Sequence, residues 1–125
     1  MALDDPEEIR ELFSAFGPVS VRRMFGGAGL FAEGAMLALR IGDDIFLKAD
    51  AETIPPLQAE GSEPFSYETK AGRRVLNSFW RMPDRLRDDP EELAIFARAA
   101  LKAAHRAVAK KSLRRRSPVR KKKKR

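Results

Sequence analysis

Between residues 19 and 49 no glycine-free run is longer than seven residues, and each run is largely apolar. An α-helix that packs against a core needs two or three turns of uninterrupted pattern, whereas a strand needs four to eight residues between turn signals. The spacing therefore predicts strands. VSVRRMF (19–25), GAGLFA (27–32), AMLALRI (35–41) and IFLKA (45–49) are separated by Gly26, by Glu33-Gly34 and by Gly42-Asp43-Asp44. Short connections of this type make hairpins, so the segment reads as a three- or four-stranded antiparallel meander.

Helical signals flank it. In DDPEEIRELFSAF (4–16), Asp4 or Asp5 can cap, Pro6 suits the first turn, and Glu7 and Glu8 favour the positive end of the helix. Ile9, Leu12, Phe13 and Phe16 share one face, and Gly17-Pro18 stops the element. After the meander, Asp50 can start a short helix whose regularity Pro55-Pro56 limits. FSYETK, Ala71-Gly72 and RRVLNSFW form a second hairpin, ended by Met82-Pro83. The segment 88–111 is the strongest helix, with Asp88 or Asp89 as cap, Pro90 next, and a stripe of Leu93, Phe96, Ala97, Ala100, Leu101, Ala104 and Val108. The fold expected is α+β: an antiparallel sheet (meander plus hairpin) with N-terminal, short middle and long C-terminal helices packed on it.

The net charge of +7 is unevenly divided. Residues 110–125, KKSLRRRSPVRKKKKR, hold 11 of the 25 basic side chains and no acid, leaving residues 1–109 with 14 basic against 18 acidic, a net of −4. The expected organisation is one domain over 1–109 and a disordered basic tail over 110–125, since such a tail repels itself and has little to bury. Its density of charge suits a polyanion. Lys110, Lys111, Arg114, Arg115, Arg116, Arg120, Lys121, Lys122, Lys123, Lys124 and Arg125 are the candidate nucleic-acid contacts, acting on phosphates without sequence preference. The alternative is a solubilising tail.

Other chemistry finds little support. With no cysteine and one histidine, His105, there is no disulfide and no cluster of nitrogen or sulfur metal ligands. Gly26, Gly27 and Gly29 lack the lysine and hydroxyl of a phosphate loop and the spacing of a dinucleotide loop, so a role in turning the sheet is favoured. Arg22-Arg23 and Arg73-Arg74 each offer one side chain per sheet face. Pairing with local carboxylates such as Glu63 or Glu68 is the favoured reading. The alternative is an anion-contacting face of Arg22, Arg23, Arg73 and Arg74, with Arg81 as a third member. Phe79 and Trp80 are expected in the core. No nucleophile–base pair stands out, so no enzyme and no cofactor are expected. The acidic start, MALDDPEEIREL, is unlike an apolar leader and no apolar stretch could span a bilayer, so a cytoplasmic location is expected.

Taken together, "VRRMFGGAGLFAEGAMLALRIGDDIFLKAD", "GSEPFSYETKAGRRVLNSFWRMP" and "DDPEELAIFARAALKAA" resemble the N-terminal domain of the TfoX/Sxy family. The likeness covers roughly residues 9–105 and rests on MFGG, the LKAD strand end, SEPF-x-Y and Trp80-Arg81. It implies a bacterial α+β domain linked to the regulation of DNA-uptake competence, in which longer members act with a cyclic-AMP-responsive transcription activator. Those members continue into a second, helical domain, where this sequence has its basic stretch. The resemblance implies no catalytic residues. Two readings stay open: a non-enzymatic regulator of transcription or competence that binds nucleic acid through its tail, and a protein-interaction module with an incidental tail. The partners expected are nucleic acid and a transcription factor; a homodimer fits either reading, and a membrane fits neither.

Overall fold

The computed structural model describes residues 5–24 and 26–115. The order is α1 (Pro6–Leu12), β1 (Ser20–Met24), β2 (Gly27–Ala32), β3 (Ala35–Ile41), β4 (Asp44–Lys48), α2 (Ile54–Ala59), β5 (Pro64–Thr69), β6 (Gly72–Arg81), a 3₁₀ helix (Asp84–Asp88) and α3 (Pro90–Arg115). All strands join one antiparallel sheet in the order β1-β2-β3-β4-β6-β5. The α+β architecture of meander, hairpin and three helices is as the sequence implies.

Local chemistry explains the elements. The Asp5 carboxylate accepts a hydrogen bond from the Glu7 N–H (2.9 Å) and Pro6 opens α1. The helix ends at Leu12, four residues earlier than its apolar pattern suggests. The N–H groups of Phe16 and Gly17 both turn back to the Phe13 carbonyl, tightening the chain before Pro18. Phe13 and Phe16 still reach the core from this turn, ring edge to ring face (6.4 Å, 84°).

The registers place Val21, Leu30, Ala38, Leu47 and Trp80 in one row across five strands. Directly paired residues share a face, so this row is the floor of the core. Leu93, Ala97, Ala100, Leu101 and Ala104 of α3 cover it, with Ile9 of α1, Phe13 of the turn after it, Leu57 of α2 and Leu86 of the 3₁₀ helix closing the sides. The alanines on α3 leave room for the helix to approach β3 and β4 closely.

One expectation about buried residues needs correction. Val108 is exposed, because the last turns of α3 run past the sheet and have nothing to cover. Phe79 is buried as expected, paired with Lys48 and facing the opposite side of β6 from Trp80, outside the connected cluster that holds Trp80. The Lys48 ammonium stands over its ring, 4.9 Å from the centroid.

The helix expected over 88–111 runs on to Arg115. Lys110–Arg115 therefore continue the helix, so the tail does not begin as irregular chain. Residues 106–115 contain no glycine or proline, and lysine and arginine are good helix formers that also suit the negative C-terminal end. The candidates Arg116, Arg120, Lys121, Lys122, Lys123, Lys124 and Arg125 lie outside the described residues.

The two-residue turn between β2 and β3 has Glu33 at φ +47° and Gly34 at φ +77°. Asparagine tolerates the first position better than glutamate. Glu33→Asn is expected to raise stability by about 1 kcal/mol in a denaturant titration. The bond between His105 Nε2 and the Glu33 carbonyl (3.0 Å) uses backbone only and would survive.

Candidate nucleic-acid interface

The glycine stretch is a sheet turn. Met24 pairs with Gly27 to close the β1–β2 hairpin, and Gly26 sits in the turn at φ +76°. A Cβ on Gly27 would meet the backbone carbonyl of Arg40 on β3, so glycine permits the strands their close approach.

The arginines proposed as one anion-contacting face are not brought together. Arg22 and Arg23 lie on β1, at one edge of the sheet, and Arg73, Arg74 and Arg81 lie on β6 near the other. Four strand spacings separate β1 from β6, about 19 Å. Arg22 stacks over Phe31 on β2 (5.1 Å). Arg81 binds Asp44 (3.0 Å) and Asp84 (3.2 Å), and these contacts, Asp44 first, hold its pKa above the usual arginine range. Arg81 thus ties β4 and β6 to the 3₁₀ helix. Beside it, Arg85 is held by Glu60 (2.8 Å) and Glu92 (3.0 Å). These arginines already have carboxylates for anions. Arg73 does not pair with Glu63 or Glu68 either; its guanidinium donates twice to the Ser66 hydroxyl (3.0 and 3.2 Å).

The folded part of the basic segment has a different setting. Lys110 and Lys111 are exposed on α3. The helix and the loop after β4 flank a cleft of about 610 Å³, lined by Lys48, Asp50, Glu52, Arg106, Lys110 and Leu113 together with alanines and Ser78. Arg106 forks onto Asp50 through Nε (2.7 Å) and Nη2 (2.9 Å), so it is neutralised. Lys48 is not. Burial lowers its pKa most, Lys111 lowers it further by repulsion, and Asp50 opposes both. Lys48 and Lys110 thus line the same cleft at the root of the tail, with Lys111 next along α3. Lys48 escaped sequence reasoning, because one lysine at a strand end carries no signal until the fold sets α3 beside it.

The Asp50–Arg106 fork locks α3 to the turn that starts α2. The Asp50 carboxylate also accepts the Glu52 N–H (3.1 Å). The Arg106 bond chiefly lowers its pKa below the ordinary 3.8, aided by the Glu52 and Thr53 backbone and opposed by burial. A carboxylate with a depressed folded-state pKa adds stability that is full above its unfolded value and is lost as pH falls through the folded one. Asp50→Asn is expected to lower the melting temperature at neutral pH, and the gap from wild type to close as pH falls through that depressed value. Paired melting curves from neutral to strongly acidic pH check this.

The family model for the TfoX N-terminal domain matches residues 11–104. The chain belongs to the TfoX N-terminal domain family. Among curated proteins no match is found. In this TfoX domain the matched region closes at Ala104, which is also the last residue of the core. Lys110 and Lys111 stand on a helical extension beyond it. Among the described residues the TfoX domain holds no cluster of potential metal ligands, and no helix is long and apolar enough to cross a membrane.

Proposed function

We propose that this TfoX-family protein is a non-enzymatic cytoplasmic regulator, acting in transcription or competence regulation, that binds nucleic acid through its basic C-terminal segment. The observation that supports this most is the continuation of α3 beyond the core, which carries Lys110 and Lys111 out beside Lys48 at the root of a segment with 11 basic residues and no acid. The domain of residues 1–109 has a net charge of −4, so a polyanion finds its attraction at this end. Contacts of lysine and arginine with phosphates release counterions and carry no base preference. Selection of a regulatory target then falls to a partner such as a transcription factor, docked on the folded domain. Duplex binding by the full chain, compared with a chain ended at Ala109, tests the proposal.

A further inference from the structure

The β5–β6 hairpin leaves the sheet. Only Phe79–Arg81 of β6 pair with β4, whereas Gly72–Leu76 pair with β5 alone and are exposed throughout. A bare two-stranded ribbon is marginal by itself, and apolar side chains displayed on it cost solubility. Yet Tyr67 is 47 % exposed, Val75 54 % and Leu76 37 %.

One face of the ribbon is aromatic and cationic. Phe65 and Tyr67 are stacked at 5.8 Å with 23° between their planes, and Phe46 meets Phe65 edge-on at 4.9 Å. Tyr67 is thus the outer ring of a row rooted in the sheet. Directly across from it stands Arg74, exposed and with no carboxylate in ion-pair range among the described residues. On the ribbon Lys70, Arg73 and Arg74 outnumber Glu68, within a domain that is otherwise acidic.

We propose that this ribbon face binds single-stranded nucleic acid, with Tyr67 stacking on an unpaired base and Arg74 contacting the adjoining phosphate. An exposed ring buttressed by Phe65 and set beside an unpaired cation matches both parts of a nucleotide: a flat apolar base and an anionic link. A duplex offers no such base, since its bases already stack on one another. The inference rests on the nucleic-acid reading above but assigns a separate site, about bases rather than backbone.

The test uses the full chain with two fluorescein-labelled strands of equal length, an oligothymidylate and an abasic phosphodiester. Anisotropy is measured for wild type, Tyr67→Ala, Tyr67→Phe and Arg74→Gln, each checked for folding by its melting curve. Wild type is expected to bind oligothymidylate about tenfold more tightly than the abasic strand. Tyr67→Ala should erase that preference and leave abasic affinity unchanged, while Tyr67→Phe keeps it. Arg74→Gln should weaken oligothymidylate binding several-fold. Because stacking releases no counterions, the preference should persist at raised salt. Equal wild-type affinity for both strands, or an equal loss for both in Tyr67→Ala, overturns the ribbon site while leaving the tail reading intact. Absence of binding to either strand at low salt overturns both. A dimer that Tyr67→Ala dissociates, with base preference unaltered, would make the ribbon an interface between copies and overturn the proposal.

Discussion

Gly27→Val is expected to cost the domain about 3 kcal/mol, near the upper end of what overpacking a close-packed interior costs. The added Cβ would press on the Arg40 carbonyl, which is backbone in the middle of the sheet and cannot rotate away as a side chain can. The Ile41 side chain (3.0 Å) adds crowding at the same point. The neighbouring Gly26→Val meets open space but is held at φ +76°, so its penalty is backbone strain of about 1–2 kcal/mol. Gly29 is a third case. Its nearest neighbours are the Met36 and Met24 sulfurs and the Phe31 ring edge, which can shift, so Gly29→Ala should cost least of the three. Urea titrations of the three variants test this order. Wild type should bind neither ATP nor a dinucleotide; saturable micromolar binding lost in Gly27→Val would restore the phosphate-loop reading of this stretch.

The reason this order could not be read from the sequence bears on the fold as a whole. Gly26, Gly27 and Gly29 mark a turn between short apolar runs, and that local signal suffices for the meander. Which glycine faces an opposing backbone depends on the β2–β3 register, which no local pattern states. Helix α3 was likewise legible from its cap, its proline and its apolar spacing. Its end was not, because the change from packed to unpacked helix between Ala104 and Val108 is set by where the sheet stops. Phe79 and Trp80 are neighbours on one strand and so face opposite sides of the sheet, but which of them faces the core helices is set by the β4–β6 register. That the two arginine pairs lie apart was hidden for the same kind of reason: they sit on strands whose distance apart is a matter of topology. The 3₁₀ helix at Asp84–Asp88 went unread because it is too short for periodicity, although Leu86 at its centre is fully buried.

The basic segment is the part whose composition was most legible and whose surroundings were least so. Its charge is plain in the sequence, but the setting of Lys110 and Lys111 beside Lys48 follows from the extension of α3. Ending the chain at Ala109 is expected to leave the melting temperature nearly unchanged, since the core closes at Ala104 and the side chains of Lys110, Lys111, Ser112 and Leu113 are exposed. Binding, in contrast, should change greatly. If about five cations of the segment contact phosphates, affinity for duplex should fall several-hundred-fold between 50 and 200 mM salt. Replacing single cations should weaken binding to unrelated sequences evenly, and each lost contact should reduce the slope by about one.

The most direct measurement is therefore fluorescence anisotropy of two unrelated duplexes, titrated over a salt series with the full chain and with the chain ended at Ala109. The account predicts equal binding of both duplexes by the full chain, with a steep negative salt slope, and none by the shortened one. Absence of binding by the full chain at low salt would contradict it, and would leave a TfoX domain whose role is to dock a protein partner.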